Sequence, residues 1–143
     1  MYFGVDYYPE HWVYPYAGTR ENPEACWEQD AELMRSAGVN VVRMGEYTWG
    51  LCEPEEGKYD FGWLKRAMDA VGRAGIKVVL GTPTAAPPPW LARKYPEILP
   101  IDEYGLTKHE GTRRAACRDA DRYAARRRWA AIPAACVIRR DRL

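Results

Sequence analysis

The chain has 143 residues, 47% hydrophobic and 29% charged, which suits one small folded domain or part of a larger one and excludes a disordered chain. Its net charge of +1 conceals two compositions: residues 1–112 carry 17 acids and 11 bases, while residues 113–143 carry 3 acids and 10 bases, all arginine. Apolar runs such as Val78-Val79-Leu80 are too short to span a bilayer, and MYFGVDYYPEHW lacks the basic start and apolar run of an export signal, so a cytoplasmic location with no membrane partner is expected.

Residues 2–8, YFGVDYY, are aromatic and β-branched and stop at Pro9, which predicts a strand. A loop follows over 9–22, punctuated by Pro9, Pro15 and Gly18. Asn22 is placed as a helix N-cap, with Pro23 at the first helical position. Trp27, Ala31, Met34 and Gly38 then recur at spacings of 4, 3 and 4, the stripe of one helix face, and Gly38 closes the helix. VNVVRMGEY (39–47) reads as a short buried strand. A second helix is expected from near Asp60, with Phe61, Leu64, Met68, Val71 and Gly75 on one face. IKVVLGTP (76–83) is a third strand.

An internal echo ties these elements together. Ala37-Gly38-Val39-Asn40-Val41-Val42 is matched by Ala74-Gly75-Ile76-Lys77-Val78-Val79, displaced by 37 residues. Helix, Ala-Gly stop and apolar strand occurring twice at one period is the signature of parallel β/α units. VVRM and VVL lack polar alternation, as strands buried on both faces should. After Thr84, the run Pro87-Pro88-Pro89 starts a short helix at best, and Gly105 between two extended pieces suggests a hairpin. Beyond Cys117 no sustained apolar stripe remains, and Pro133 interrupts what there is. The cysteines, Cys26, Cys52, Cys117 and Cys136, form no CxxC pair and are expected as reduced thiols.

Parallel β/α units place their chemistry at the carboxyl ends of the strands. There the sequence offers Asp6, Tyr7, Tyr8, Glu10, His11 and Trp12; then Arg43, Glu46, Tyr47 and Trp49; then Thr82, Pro83 and Thr84. Carboxylates, a guanidinium and flat aromatic faces suit a sugar, whose hydroxyls need hydrogen-bond partners and whose C–H faces pack on rings. Asp6, Glu10 and Glu46 are candidate carboxylates for glycoside cleavage, which in a retaining enzyme needs two carboxyls about 5–5.5 Å apart. Arg43 and Glu46 also read as a salt-bridged layer shaping the floor of the pocket. His11, Trp12, Tyr47 and Trp49 either line its mouth or brace it. No GxGxxG, GxxxxGK[ST] or HExxH occurs, so nucleotide and zinc-protease chemistry have little support.

Four blocks in order, GVDYYPEHW, VVRMGEYTWGLCEPEEGKYDF, VVLGTPTAAPPPWL and GTRRAAC, resemble the amino-terminal part of the glycoside hydrolase family 42 β-galactosidases over about residues 1–117. The resemblance implies an α/β fold, a (β/α)8 TIM barrel of which the first three β/α units are present. It also implies retaining hydrolysis of terminal β-D-galactosides. In the family, an acid/base glutamate follows an asparagine after strand four, and the nucleophile lies on strand seven. No Asn-Glu pair occurs here, so no catalytic residue is assigned, and the 143-residue chain is expected to be inactive alone. By the same resemblance Arg113 matches a galactose-binding arginine, and Cys117 the first cysteine of a four-cysteine structural zinc site. The chemistry itself needs no cofactor, and family members are often trimers.

Residues 118–143 depart from the family pattern and read as an out-of-frame or disordered Arg/Ala-rich tail. A non-catalytic sugar-binding remnant and an incidental basic binding protein are the alternatives. Nucleic-acid binding is not expected, because the rest of the chain is net acidic and carries no such motif.

Overall fold

The computed structural model describes residues 1–83, 86–99, 101 and 103–107. Three strands, β1 (Gly4–Asp6), β2 (Val41–Met44) and β3 (Lys77–Leu80), form a parallel sheet in the order β1-β2-β3. Between and after them run α1 (Cys26–Ser36), α2 (Trp49–Cys52), α3 (Gly62–Arg73) and α4 (Pro89–Lys94). Strand alternating with helix in a parallel sheet is the α/β arrangement that the repeat predicts. Among the described residues the sheet has two open edges, β1 and β3.

The echo in sequence is a pair of equivalent helix endings. At the end of α1 the Gly38 N–H donates to the Arg35 carbonyl at 3.0 Å, and the Val39 N–H to Met34 at 3.0 Å. At the end of α3 the Gly75 N–H donates to Gly72 at 2.9 Å, and the Ile76 N–H to Val71 at 3.3 Å. Both are Schellman closures, which need a left-handed residue, and Gly38 and Gly75 supply it with φ of 85° and 79°. Each closure drops an apolar residue, Val39 or Ile76, into the core and aims the chain into the next strand.

One face of the sheet is sealed. Val42 and Met44 are buried with Leu64 and Val71 of α3, Tyr7, Val39, Cys52 and Ile76, while Val78 and Leu80 pack against that cluster. A second cluster, Trp27, Ala67 and Ala70 with Val13 beside it, locks α1 to α3. Among the described residues the opposite face is open: Gly4, Asp6, Val41, Arg43 and Val79 border a concavity of about 410 Å³. Burial on both faces, expected from the unbroken apolar runs, holds among these residues for one face only. The core layer of α3 and the closures lies on one side, and Val79 on the other is 52% exposed.

The pairing register runs one residue short of the echo. Val42 lies opposite Val78 and Met44 opposite Leu80, a displacement of 36. Val41 and its echo Val78 consequently face opposite sides of the sheet.

Several element ends differ from expectation, and the strands expected over 39–47 and 76–83 are Val41–Met44 and Lys77–Leu80. The first strand is Gly4–Asp6, although pairing continues on both sides. The Phe3 N–H donates to Asn40 Oδ1 at 2.9 Å, and the Tyr7 N–H to the Arg43 carbonyl at 2.8 Å. Asn22 does not cap α1, which begins at Cys26 with no side-chain cap. Instead Asn22 closes a tight turn beyond Gly18: its N–H donates to Thr19 Oγ1, its carbonyl accepts from the Thr19 N–H, and both distances are 3.0 Å. Helix α2 is not foreseen by the sequence, while three other expectations hold. Asp60 Oδ1 accepts from the Gly62 N–H at 2.8 Å where α3 starts, α4 is six residues long, and the hairpin about Gly105 is one antiparallel bridge, Ile101 to Thr107. The tail, residues 118–143, lies outside the described residues.

Candidate functional site

The last rung between β1 and β2 sets Asp6 opposite Arg43, and β2 continues one residue further to pair Met44 with Leu80 of β3. Gly45, at φ 92°, turns the chain after β2 so that Glu46 folds back and accepts an ion-paired hydrogen bond from the Arg43 guanidinium. The end of β3 presses on the same carboxylate side chain. The Gly81 N–H donates to the Met44 carbonyl at 2.8 Å, and a Cβ on Gly81 would lie 2.4 Å from Glu46 Cγ. Glycine is required there by close approach rather than by dihedral angle. Arg43 stays 52% exposed at its side chain and Glu46 only 15%, so the pair has an inner acceptor and an outer donor. The expected salt-bridged layer is thus in place.

Beside it stand three rings. Tyr8 lies 5.7 Å, centroid to centroid, from His11 on one side and 5.7 Å from Tyr47 on the other, with tilts of 37° and 52°. This row links the loop after β1 to the loop after β2.

Three other aromatic candidates point elsewhere. Tyr7 alternates to the opposite face from Asp6, is buried, and donates its hydroxyl to Asp30 Oδ2 at 2.9 Å. Burial and the Asp30 carboxylate push its phenol well above the usual range. Trp12 borders a groove of about 260 Å³ with Tyr7, Asp30, Leu33 and Met34, against α1. Trp49 is fully buried, and its indole N–H donates to Glu53 Oε2 at 2.7 Å, while Glu53 Oε1 takes the Gly57 N–H at 2.8 Å. Trp49 therefore braces the layers behind the mouth, while Trp12 is 50% exposed at the edge of the α1 groove.

Glu10 is unusual in another way. Both carboxylate oxygens are buried, with no hydrogen-bond partner of normal geometry among the described residues. Burial pushes its carboxyl above the ordinary range, opposed by the nearness of its own backbone N–H and then by the charge of His11. Burial disfavours the charged form.

Sequence reasoning names Tyr8 but not its place as the middle ring, and it misses the contact of Gly81 with Glu46. A glycine one residue past a buried strand is the available signal for such an approach. Thr82 and Pro83 follow β3, while Thr84, Arg113, Cys117 and Cys136 lie outside the described residues. Cys26 and Cys52 are in no disulfide among the described residues, Cys52 Sγ lies 3.6 Å from Thr48 Oγ1, and no three described His, Cys, Asp or Glu residues could hold a metal ion. The described residues therefore do not fit a zinc site. No helix among them is long and apolar enough to cross a membrane.

The arrangement suits binding more readily than bond cleavage. Glu46, engaged by Arg43, offers hydrogen-bond acceptance to a hydroxyl and no proton to a leaving group. Arg43 offers planar donors, and the rings offer apolar faces.

Comparison with known proteins places the chain in a family. The family model for glycoside hydrolase family 42, described as β-galactosidase, matches residues 6–136, past Cys117 into the tail. The β-galactosidase BgaA of Thermus sp is 48% identical over 120 residues, 84% of this chain and 17% of that protein. BbgII of Bifidobacterium bifidum, also a β-galactosidase, is 47% identical over 113 residues, 79% of this chain and 15% of that protein. Among solved structures, the β-galactosidase of Halorubrum lacusprofundi superposes with a TM-score of 0.73 at 41% identity, covering 88% of this chain and 17% of that one. The β-galactosidase of Marinomonas ef1 gives 0.72 at 39% identity, over 88% and 18%. The chain thus spans about a sixth of the length of the relatives it matches.

Proposed function

The chain belongs to the glycoside hydrolase family 42 β-galactosidases, and on that premise we propose that it supplies one wall of the sugar site of a retaining β-galactosidase. Its three strands are the first three units of a (β/α)8 barrel, whose interior is the open concave face and whose sites lie at the strand carboxyl ends. The observation that carries this reading is the Arg43–Glu46 pair, held against Gly81 at the ends of β2 and β3.

In this reading Arg43, Glu46 and Asp6 engage hydroxyls of a terminal β-D-galactoside, and Arg113 joins them. Cleavage needs a proton donor and a nucleophile, and the sequence holds no Asn-Glu pair to supply the donor. The 143 residues therefore bind without turnover. No cofactor enters the chemistry. Cys117 belongs to a structural zinc site only with three further thiolates. The whole enzyme is proposed to be a cytoplasmic homotrimer. The frame-change reading of the tail rests on composition, and translating the other frames for an Asn-Glu strand tests it.

The test of function uses the purified chain with a chromogenic β-galactoside and, separately, galactose. Galactose binding that Arg43→Met removes, with no hydrolysis, is the expected result. Hydrolysis abolished by Glu46→Gln would assign the chemistry to Glu46 and overturn the reading.

A further inference from the structure

The Arg43–Glu46 pair stands at a strand end where the Arg43 side chain is half in solvent, so the pair alone does not fix its own geometry. From β3 it is confined by Gly81, against which Glu46 lies. From the other side it is set by the residues that follow Glu46. Thr48, 1% exposed, donates its hydroxyl to the Gly45 carbonyl at 2.8 Å, and Gly45 is the residue whose left-handed turn folds Glu46 back. Thr48 is also the base of α2: its carbonyl accepts the N–H groups of Leu51 and Cys52 at 3.0 and 2.9 Å. Four residues make a single helical turn, too short to persist without outside support.

Glu53 supplies that support. It is 3% exposed, and its N–H closes α2 on the Trp49 carbonyl at 2.8 Å. One carboxylate oxygen takes the Trp49 indole N–H at 2.7 Å and the other takes the Gly57 N–H at 2.8 Å. Its own carbonyl accepts the Trp90 indole N–H at 2.8 Å, which joins the same residue to α4 beyond β3. We propose that Glu53 is a positioning residue for the sugar site: it locks α2, α2 holds Thr48, and Thr48 holds the Gly45 turn that sets Glu46 on Arg43. Its bearing on sugar rests on the galactoside reading above, whereas the placing of the pair does not. A glutamine at this position has one acceptor oxygen and an NH2 group, so either the Trp49 or the Gly57 N–H then faces a donor.

The experiment follows the Arg43 Nε–H resonance of the sugar-free chain, urea unfolding, and titration with galactose. Glu53→Gln and Thr48→Val are each expected to shift that resonance and to weaken galactose binding about tenfold. Thr48→Ser, which keeps the hydroxyl, is expected to restore both. Val71→Ala, in the sealed core, is expected to lower the urea midpoint and leave the resonance and the affinity unchanged. Where Glu53→Gln fails to fold, the two Thr48 variants carry the test. An Arg43 resonance unmoved in Glu53→Gln and Thr48→Val, or moved as far by Val71→Ala, would overturn the positioning role whatever the sugar does. Galactose affinity equal in Glu53→Gln and in a parent chain that binds it would overturn that role too. The expected shifts in a parent chain that binds no galactose would keep the placing of the pair and overturn the galactoside reading.

Discussion

On one face of the sheet Val42 and Met44 are sealed against α3, while one residue along the same strands Val41, Arg43 and Val79 stand open. Neighbouring positions on β2 thus do different work. One face holds the unit together, and the other presents polar and apolar groups to a concavity. Stability and ligand contact are separable here at the level of single residues, because successive side chains on a strand point to opposite sides.

The sharpest way to break this separation is to exchange the two kinds of residue. Met44→Ala, at 0% exposure, is expected to cost about 3 kcal/mol in urea unfolding, from lost burial plus the cavity left behind. Val79→Ala on the open face should stay within about 0.5 kcal/mol. Comparable losses at both positions would mean that the concave face is a second core. Gly81→Ala tests the place where the two roles meet. Its methyl would displace Glu46, and a loss of about 2 kcal/mol, accompanied by loss of galactose binding, is expected.

Glu10 gives a smaller effect with a pH signature. Its carboxyl is raised above the ordinary 4.5, so the folded state holds the proton more tightly than the unfolded one. Stability from this group is full below the ordinary carboxylate range and is lost as pH rises through the raised folded value. Glu10→Gln should therefore gain on the parent chain as pH rises, reaching about 1 kcal/mol near neutrality because the stem remains partly accessible. Parallel stability curves against pH for the two proteins would contradict this. The smallest effect belongs to Arg43→Met, expected within about 0.5 kcal/mol in stability because the guanidinium is solvent-exposed, even though sugar binding is lost.

How much of this was legible depended on whether the signal was local. The Ala-Gly stops, the stripe through Leu64, Met68 and Val71, and the start of α3 at Asp60 are encoded within a turn or two, and each reads correctly. Asn22 misleads because its backbone closes a tighter turn, in which the Thr19 hydroxyl accepts from the Asn22 N–H. VVRM suggests two buried faces although Arg43 marks the open one, since composition cannot say which neighbours arrive from elsewhere in the chain. Trp12 and Trp49 are drawn toward the mouth by proximity in sequence, whereas Trp12 borders a groove on α1 and burial with the bond to Glu53 holds Trp49 behind it. The Arg43–Glu46 pair is legible from its spacing, whereas its confinement by Gly81 needs two strands side by side.

The one-residue difference between repeat and register has a consequence for how such a unit can evolve. Duplicating a β/α module with this stagger hands every inherited strand position the opposite orientation, so Arg43 at the concavity has as its counterpart Leu80 in the core. Two modules, rather than one, make up the smallest stretch after which a side chain returns to the same role, the alternation of strands that builds the interior layers of a closed barrel. The two modules are therefore alike at their Ala-Gly stops and differ in which face of the sheet each following strand residue presents.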